Sequence, residues 1–140
     1  MTSGPAAPAL FVGIGCRRGC SVDELASLLT QALQAHGGSA ARLAGLASIT
    51  LKAEESGLCA LAERLAVPLR CFDPHALQAF EPWLTHRSHA AWRATGCWGV
   101  AESAALALAH QHTGAAWLIV PRVASAQATL AMACGPGFAG

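Results

Sequence analysis

The sequence predicts an α/β fold: a three-layer α/β/α sandwich around a mixed, mostly parallel sheet. Three observations carry that expectation. Short, continuous apolar runs such as Leu10–Ile14 and Trp117–Pro121 alternate with segments of helical period. The last two runs are separated by too few residues for a helical crossover, so that pair is expected to be antiparallel. At 140 residues, 54% hydrophobic and 12% charged, the chain has apolar surface enough for one core and too little charge for a disordered state. Residues 10–134 are therefore expected to form one domain, between a flexible N-terminal leader at 1–9 and a tail at 135–140.

The elements follow in order. Leu10-Phe11-Val12-Gly13-Ile14 reads as a strand buried on both faces. Ser21 and Glu24 lie three apart, the pattern by which a helix start satisfies its free amides reciprocally. Beyond them Val22, Leu25, Leu28, Leu29, Ala32 and Leu33 form one apolar stripe, stopped by Gly37-Gly38. Residues 41–51 fit neither period, though Ile49-Thr50 leans toward a short strand or turn. A second helix holds Leu58, Leu61, Ala62 and Leu65, with Glu54 and Glu55 near its positive end and Pro68 beyond it. Residues 67–72 read as a strand, and Asp73-Pro74 caps a short helix limited by Pro82. From Trp83 to Gly99 no period emerges, which reads as a long irregular loop. Val100–His112 is apolar nearly all round, a deeply packed helix stopped by Gly114, and two buried strands at 117–121 and 129–133 close the domain.

Several function classes are disfavoured. A formal charge of +1 lacks the basic excess that nucleic acid requires. The N-terminus has no signal-peptide pattern and no run approaches a membrane span, so the protein is expected in the cytoplasm, with no membrane partner. The six cysteines are spread along the chain and Cys16-x-x-x-Cys20 lacks metal spacing, so they read as reduced thiols. The pairs His86/His89 and His110/His112 read as solvated surface. Neither a metal nor a cofactor is expected.

Three segments carry chemistry. Gly13-Ile14-Gly15-Cys16-Arg17-Arg18-Gly19 lies between a strand and a capped helix. Its glycines permit close backbone approach, the helix start offers free amides, and the arginines fork onto carboxylates or phosphates. A tight turn with two solvated arginines fits the same residues equally well. The segment is neither a dinucleotide fingerprint, with Arg18 where glycine is needed, nor a Walker loop. The second segment, residues 48–58, crowds Ser48, Lys52 and Glu55 at the mouth of a helix, either to position an anion and move protons or as ordinary helix-start chemistry. The third, residues 96–105, places Gly99 and Glu102 at the start of the apolar helix, where Glu102 is a functional acid or a dipole partner.

Together these segments, in this order and with the closing Thr129-Leu130-Ala131-Met132-Ala133, resemble the CobE family of cobalamin (vitamin B12) biosynthesis, which is similar to the C-terminal domain of CbiG. The resemblance covers about residues 10–134 and is nearest to the stand-alone form. It implies a compact α/β fold and a role in building the corrin ring. CbiG opens a ring lactone, but residues supplied by its preceding region are expected to have no counterpart here, so that activity is not expected to carry over. Arg122 stands where the family pattern leads us to expect lysine. A corrin precursor is a broad apolar macrocycle ringed with acidic side chains, and needs an apolar cleft with a few cationic forks. The ligand-binding candidates are Gly13, Gly15, Cys16, Arg17, Arg18, Ser48, Lys52, Glu55, Gly99, Glu102 and Arg122, with Trp92 and Trp98 toward the ring. Lys52, Glu55 and Glu102 are the candidates for catalysis should the protein be an enzyme. Loops after the first and penultimate strands are expected to bring Arg17 and Arg122 to one sheet edge. The function implied is to bind a polycarboxylate corrin or precorrin intermediate and carry or present it to other enzymes of the pathway; the alternative is lactone or acyl hydrolysis of such an intermediate.

Overall fold

A computed structural model describes residues 9–136. The expected leader falls on residues 1–8 and the end of the expected tail on 137–140, both outside the described residues. The order is β1 (Leu10–Cys16), α1 (Val22–His36), β2 (Leu43–Ile49), α2 (Ser56–Leu65), β3 (Leu69–Phe72), α3 (Pro74–Gln78), α4 (His89–Thr95), α5 (Val100–Thr113), β4 (Trp117–Ala124) and β5 (Ala128–Cys134).

The five strands form one mixed sheet in the order β3-β2-β1-β5-β4. β1 pairs with β2, and β2 with β3, in parallel; β5 runs antiparallel to both β1 and β4. Four strands thus share one direction and only β5 is reversed, as the short closing connection predicts.

Alternate residues of β1 feed two cores, one on each face. Leu10, Val12 and Ile14 join Leu25, Leu28 and Leu29 of α1 and Leu58 and Leu61 of α2. Phe11 joins the alanine-rich α5 and Leu77 of α3. Helices on both faces explain why β1 reads as an unbroken apolar run.

Local capping sets the helix ends. The Ser21 hydroxyl accepts from the Glu24 amide at 3.1 Å, and Asp73 accepts from Ala76 N at 2.8 Å. The reciprocal half of the expected Ser21/Glu24 box is absent. The Glu24 carboxylate instead accepts from Ser125 Oγ and, at 2.7 Å, from Gln127 N, tying the β4–β5 turn to α1.

Three expectations are corrected. Residues 43–49 are a full strand whose side chains are nearly all buried, so neither face alternates. The expected loop at 83–99 contains α4, capped by Ser88 and ended by Gly96 in the left-handed region. Its alanines supply no apolar period, which is why it reads as irregular. β4 is an edge strand, largely half-exposed, and Pro121 fits it because an edge strand tolerates a missing donor.

Candidate ligand-binding cleft

A cleft of about 520 Å³ opens at the carboxyl ends of β1 and β2. Its lining includes Gly15 and Cys16 at the end of β1, Arg17 just beyond it, Ile49 and Lys52, together with Ala90, Ala91 and Ala94 of α4 and Trp98. The β4–β5 turn and Arg122 complete the rim. Its cations are Arg17, Lys52 and Arg122, and none of the three is in an ion pair among the described residues. The buried Nε of Arg122 has no hydrogen-bond partner there either.

Arg122 lies within β4, not in a loop after it. Val120 opposes Met132 while Val123 opposes Leu130, so two β4 residues, Pro121 and Arg122, stand against the single β5 residue Ala131. Such a bulge releases a residue from the ladder and re-aims it. The freed Arg122 N–H donates to Glu102 Oε2 at 2.9 Å.

Glu102, in the first turn of α5, is only 1% exposed. Its Oε1 accepts from Thr85 N at 2.7 Å and His86 N at 3.3 Å. Its Oε2 accepts from the Thr85 hydroxyl and from Arg122 N. Each oxygen therefore takes two bonds, which leaves no place for a proton. Burial, the largest single influence, pushes this carboxyl up. The Thr85 hydroxyl and the amides of Arg122, Thr85 and His86 together outweigh it and leave the group below its ordinary 4.5. Glu102 fastens three walls of the cleft to one another: α5, the segment leading into α4, and the β4 bulge.

A group depressed in the folded state stabilises above its unfolded value and loses that contribution as pH falls through the folded one. The contribution of Glu102 is thus present at neutral pH and lost only below about 4.5. Glu102→Gln is expected to destabilise the domain by about 3 kcal/mol at neutral pH, because an amide would set its own donors against N–H groups. The difference should shrink in acid. Urea denaturation at neutral and acidic pH measures both, and an equal loss at the two pH values would refute the assignment.

Cys16, beside Lys52 in the cleft, is pushed up to about 11, mainly by burial, with the lysine opposing. Near neutral pH roughly one molecule in ten thousand carries the thiolate. Iodoacetamide is expected to leave Cys16 unlabelled in the folded protein and to label it in urea, read by peptide mass; rapid labelling in the native state would overturn this. All six cysteines are free.

Among the other candidates, Gly15, Gly99 and Glu102 line the cleft, while Gly13, Arg18, Ser48 and Glu55 do not. Gly13 lies under α5, and Arg18 is on the exposed turn. Ser48 is buried and donates to Ile14 O at 2.6 Å. Glu55 accepts from Gly19 N at 3.1 Å, bracing the β1–α1 turn against α2. Trp98 lines the cleft and Trp92 stacks on it from outside, centroids 5.2 Å apart and planes 14° apart. Sequence reasoning missed His86, the α4 alanines and residues 125–127. Ser88 as a cap and Gly96 as a stop were the available signals for α4; for His86 there was none, since its partner is 16 residues away.

Fold and cleft together define an α/β domain built around one cation-lined cleft at the carboxyl ends of its parallel strands. The family described as Cobalamin synthesis G C-terminus matches residues 10–133. The chain belongs to that family and is a cobalamin-biosynthesis protein of the CobE and CbiG kind. It is 39% identical to Protein CobE of a Sinorhizobium species over 127 residues, covering 91% of this chain and 80% of that one. A crystal structure of CobE, described as a protein of the cobalamin biosynthetic pathway, superposes with a TM-score of 0.90 at 42% identity, over 97% of this chain and 96% of that chain. A cobalt-precorrin-5A hydrolase of Salmonella typhimurium is 42% identical over 72 residues, which are 51% of this chain but 20% of the hydrolase. Among the described residues no helix is long and apolar enough to cross a membrane.

Proposed function

We propose that the cleft binds a polycarboxylate corrin or precorrin intermediate and carries or presents it to other enzymes of cobalamin synthesis. The observation that carries this reading is the set Arg17, Lys52 and Arg122: three cations without ion-pair partners among the described residues, on a cleft also lined by alanines of α4 and by Trp98. Cations around an apolar wall complement a flat apolar ring with carboxylates at its edge. Trp98, stacked on Trp92, adds aromatic surface to the same lining. Among the described residues the one carboxylate on the cleft, Glu102, is consumed by its four donors and adds little repulsion.

Hydrolysis of the same ligand is the second reading, favoured by the hydrolases among the relatives, of which the chain spans a fifth in one case and 32% in another. Two of the three catalytic candidates argue for the first: Glu102 has no free lone pair and Glu55 lies outside the cleft, so Lys52 alone of them is left on the cleft for proton transfer. Titrating the protein with metal-free and cobalt-containing corrin polycarboxylic acids, followed by absorbance and then by the mass of the recovered pigment, separates them. Saturable binding with unchanged mass is expected. A protein-dependent mass change would establish the hydrolase, and an absence of binding would sink both readings.

A further inference from the structure

His86 lines the cleft with its side chain about half exposed. Its Nδ1 lies 2.7 Å from the Thr85 hydroxyl oxygen. That hydroxyl has one proton, and it is directed to Glu102 Oε2. The Thr85 oxygen can therefore serve Nδ1 only as an acceptor, which puts a proton on Nδ1. The carboxylate stands 3.9 Å from the same nitrogen, where its charge favours the same arrangement. In the neutral imidazole the lone pair is then on Nε2, which has no hydrogen-bond partner among the described residues.

We propose that Glu102, acting through Thr85, locks neutral His86 as the Nδ1–H tautomer, so that Nε2 is a side-chain acceptor that the cleft offers its ligand beside the cations. Arg17, Lys52 and Arg122 can only donate. A ligand matched to all four carries carboxylates for the cations and, beside them, one hydrogen-bond donor such as a hydroxyl, a carboxamide or a ring N–H. This deepens the binding reading above and rests on it for the ligand, while the tautomer stands on the protein alone. Glu102 and Thr85 are positioning residues; His86 is the contact.

Nitrogen-15 NMR of the full chain labelled at histidine tests the two parts separately. In the free protein, above the pH at which the ring is protonated, the His86 signal, assigned by its loss in His86→Leu, should report Nε2 without hydrogen and Nδ1 with it. Thr85→Val should release the lock and shift the proton toward Nε2, and Thr85→Ser, which keeps the hydroxyl, should preserve it. A wild-type proton on Nε2, or a tautomer indifferent to Thr85→Val in a folded variant, overturns the lock. With a metal-free corrin polycarboxylic acid as probe, the Nε2 signal should move on saturation. His86→Leu should bind it roughly three- to tenfold more weakly, and His86→Gln, which keeps an acceptor, should recover most of the loss. An unmoved Nε2 signal with full affinity in His86→Leu overturns the contact while leaving the binding reading intact; no binding by wild type overturns both.

Discussion

Arg17→Ala combined with Arg122→Ala is expected to weaken binding of a corrin polycarboxylic acid by about a hundredfold to ten-thousandfold. Each charge-assisted hydrogen bond contributes about 1.5 to 3 kcal/mol, and the two sit on separate elements, so their losses should nearly add. The fold should survive. Arg17 and Arg122 are in no ion pair among the described residues, and Arg122 is tied to Glu102 through its backbone amide, which alanine keeps. Arg18→Ala is the matched control: its side chain is exposed on the same turn but does not line the cleft, so it should change affinity by less than about threefold. Absorbance titration of the double variant, of Arg17→Ala alone and of Arg18→Ala reads the result. Equal losses for Arg17 and Arg18 would mean that the turn as a whole, and not the cleft, attracts the ligand.

Gly13→Ala is expected to cost at least about 3 kcal/mol and to leave little folded protein. A Cβ at Gly13 would stand 1.9 Å from Ala101 O and 2.5 Å from Ala105 N, both backbone atoms of α5. Neither can rotate away, so the helix would have to leave the sheet, and with it Glu102 and the three walls it joins. Gly15→Ala gives the contrast. Its Cβ would meet the Thr129 hydroxyl at 2.8 Å and Val100 side-chain atoms from 3.6 Å outward, and a threonine side chain can turn. Thermal unfolding of the pair should separate them by several degrees or more. Equal stability would show that α5 does not rest on β1 as described.

The elements that were legible are those whose local pattern matches their burial. α1 carries a cap at Ser21 and an apolar stripe because one face alone is buried. β1 and α5 read as deeply packed because both faces of the one and nearly the whole surface of the other are covered. β2 was ambiguous for a related reason: with six of its seven residues buried it shows neither alternation nor helical period. α4 was lost because a short helix with no buried residue has no apolar stripe to detect. Of the candidate residues, Gly15, Cys16, Arg17, Lys52, Gly99, Glu102 and Arg122 converge on the cleft, while Gly13, Ser48 and Glu55 lie behind it as packing or bracing.

By itself the sequence determined the α/β class, the reversed closing strand, the family and most of the cationic rim, since each rests on composition, on contacts within a few residues, or on motif order. Tertiary structure alone decided what those residues do. Glu102 becomes a four-bonded clasp through donors 16 to 20 residues away, Glu24 binds a turn some hundred residues on, and Arg122 enters the cleft through a bulge in an edge strand. The physical reason is one of range. Periodicity and capping are set by neighbours along the chain, whereas a buried carboxylate takes whatever donors the fold brings to it.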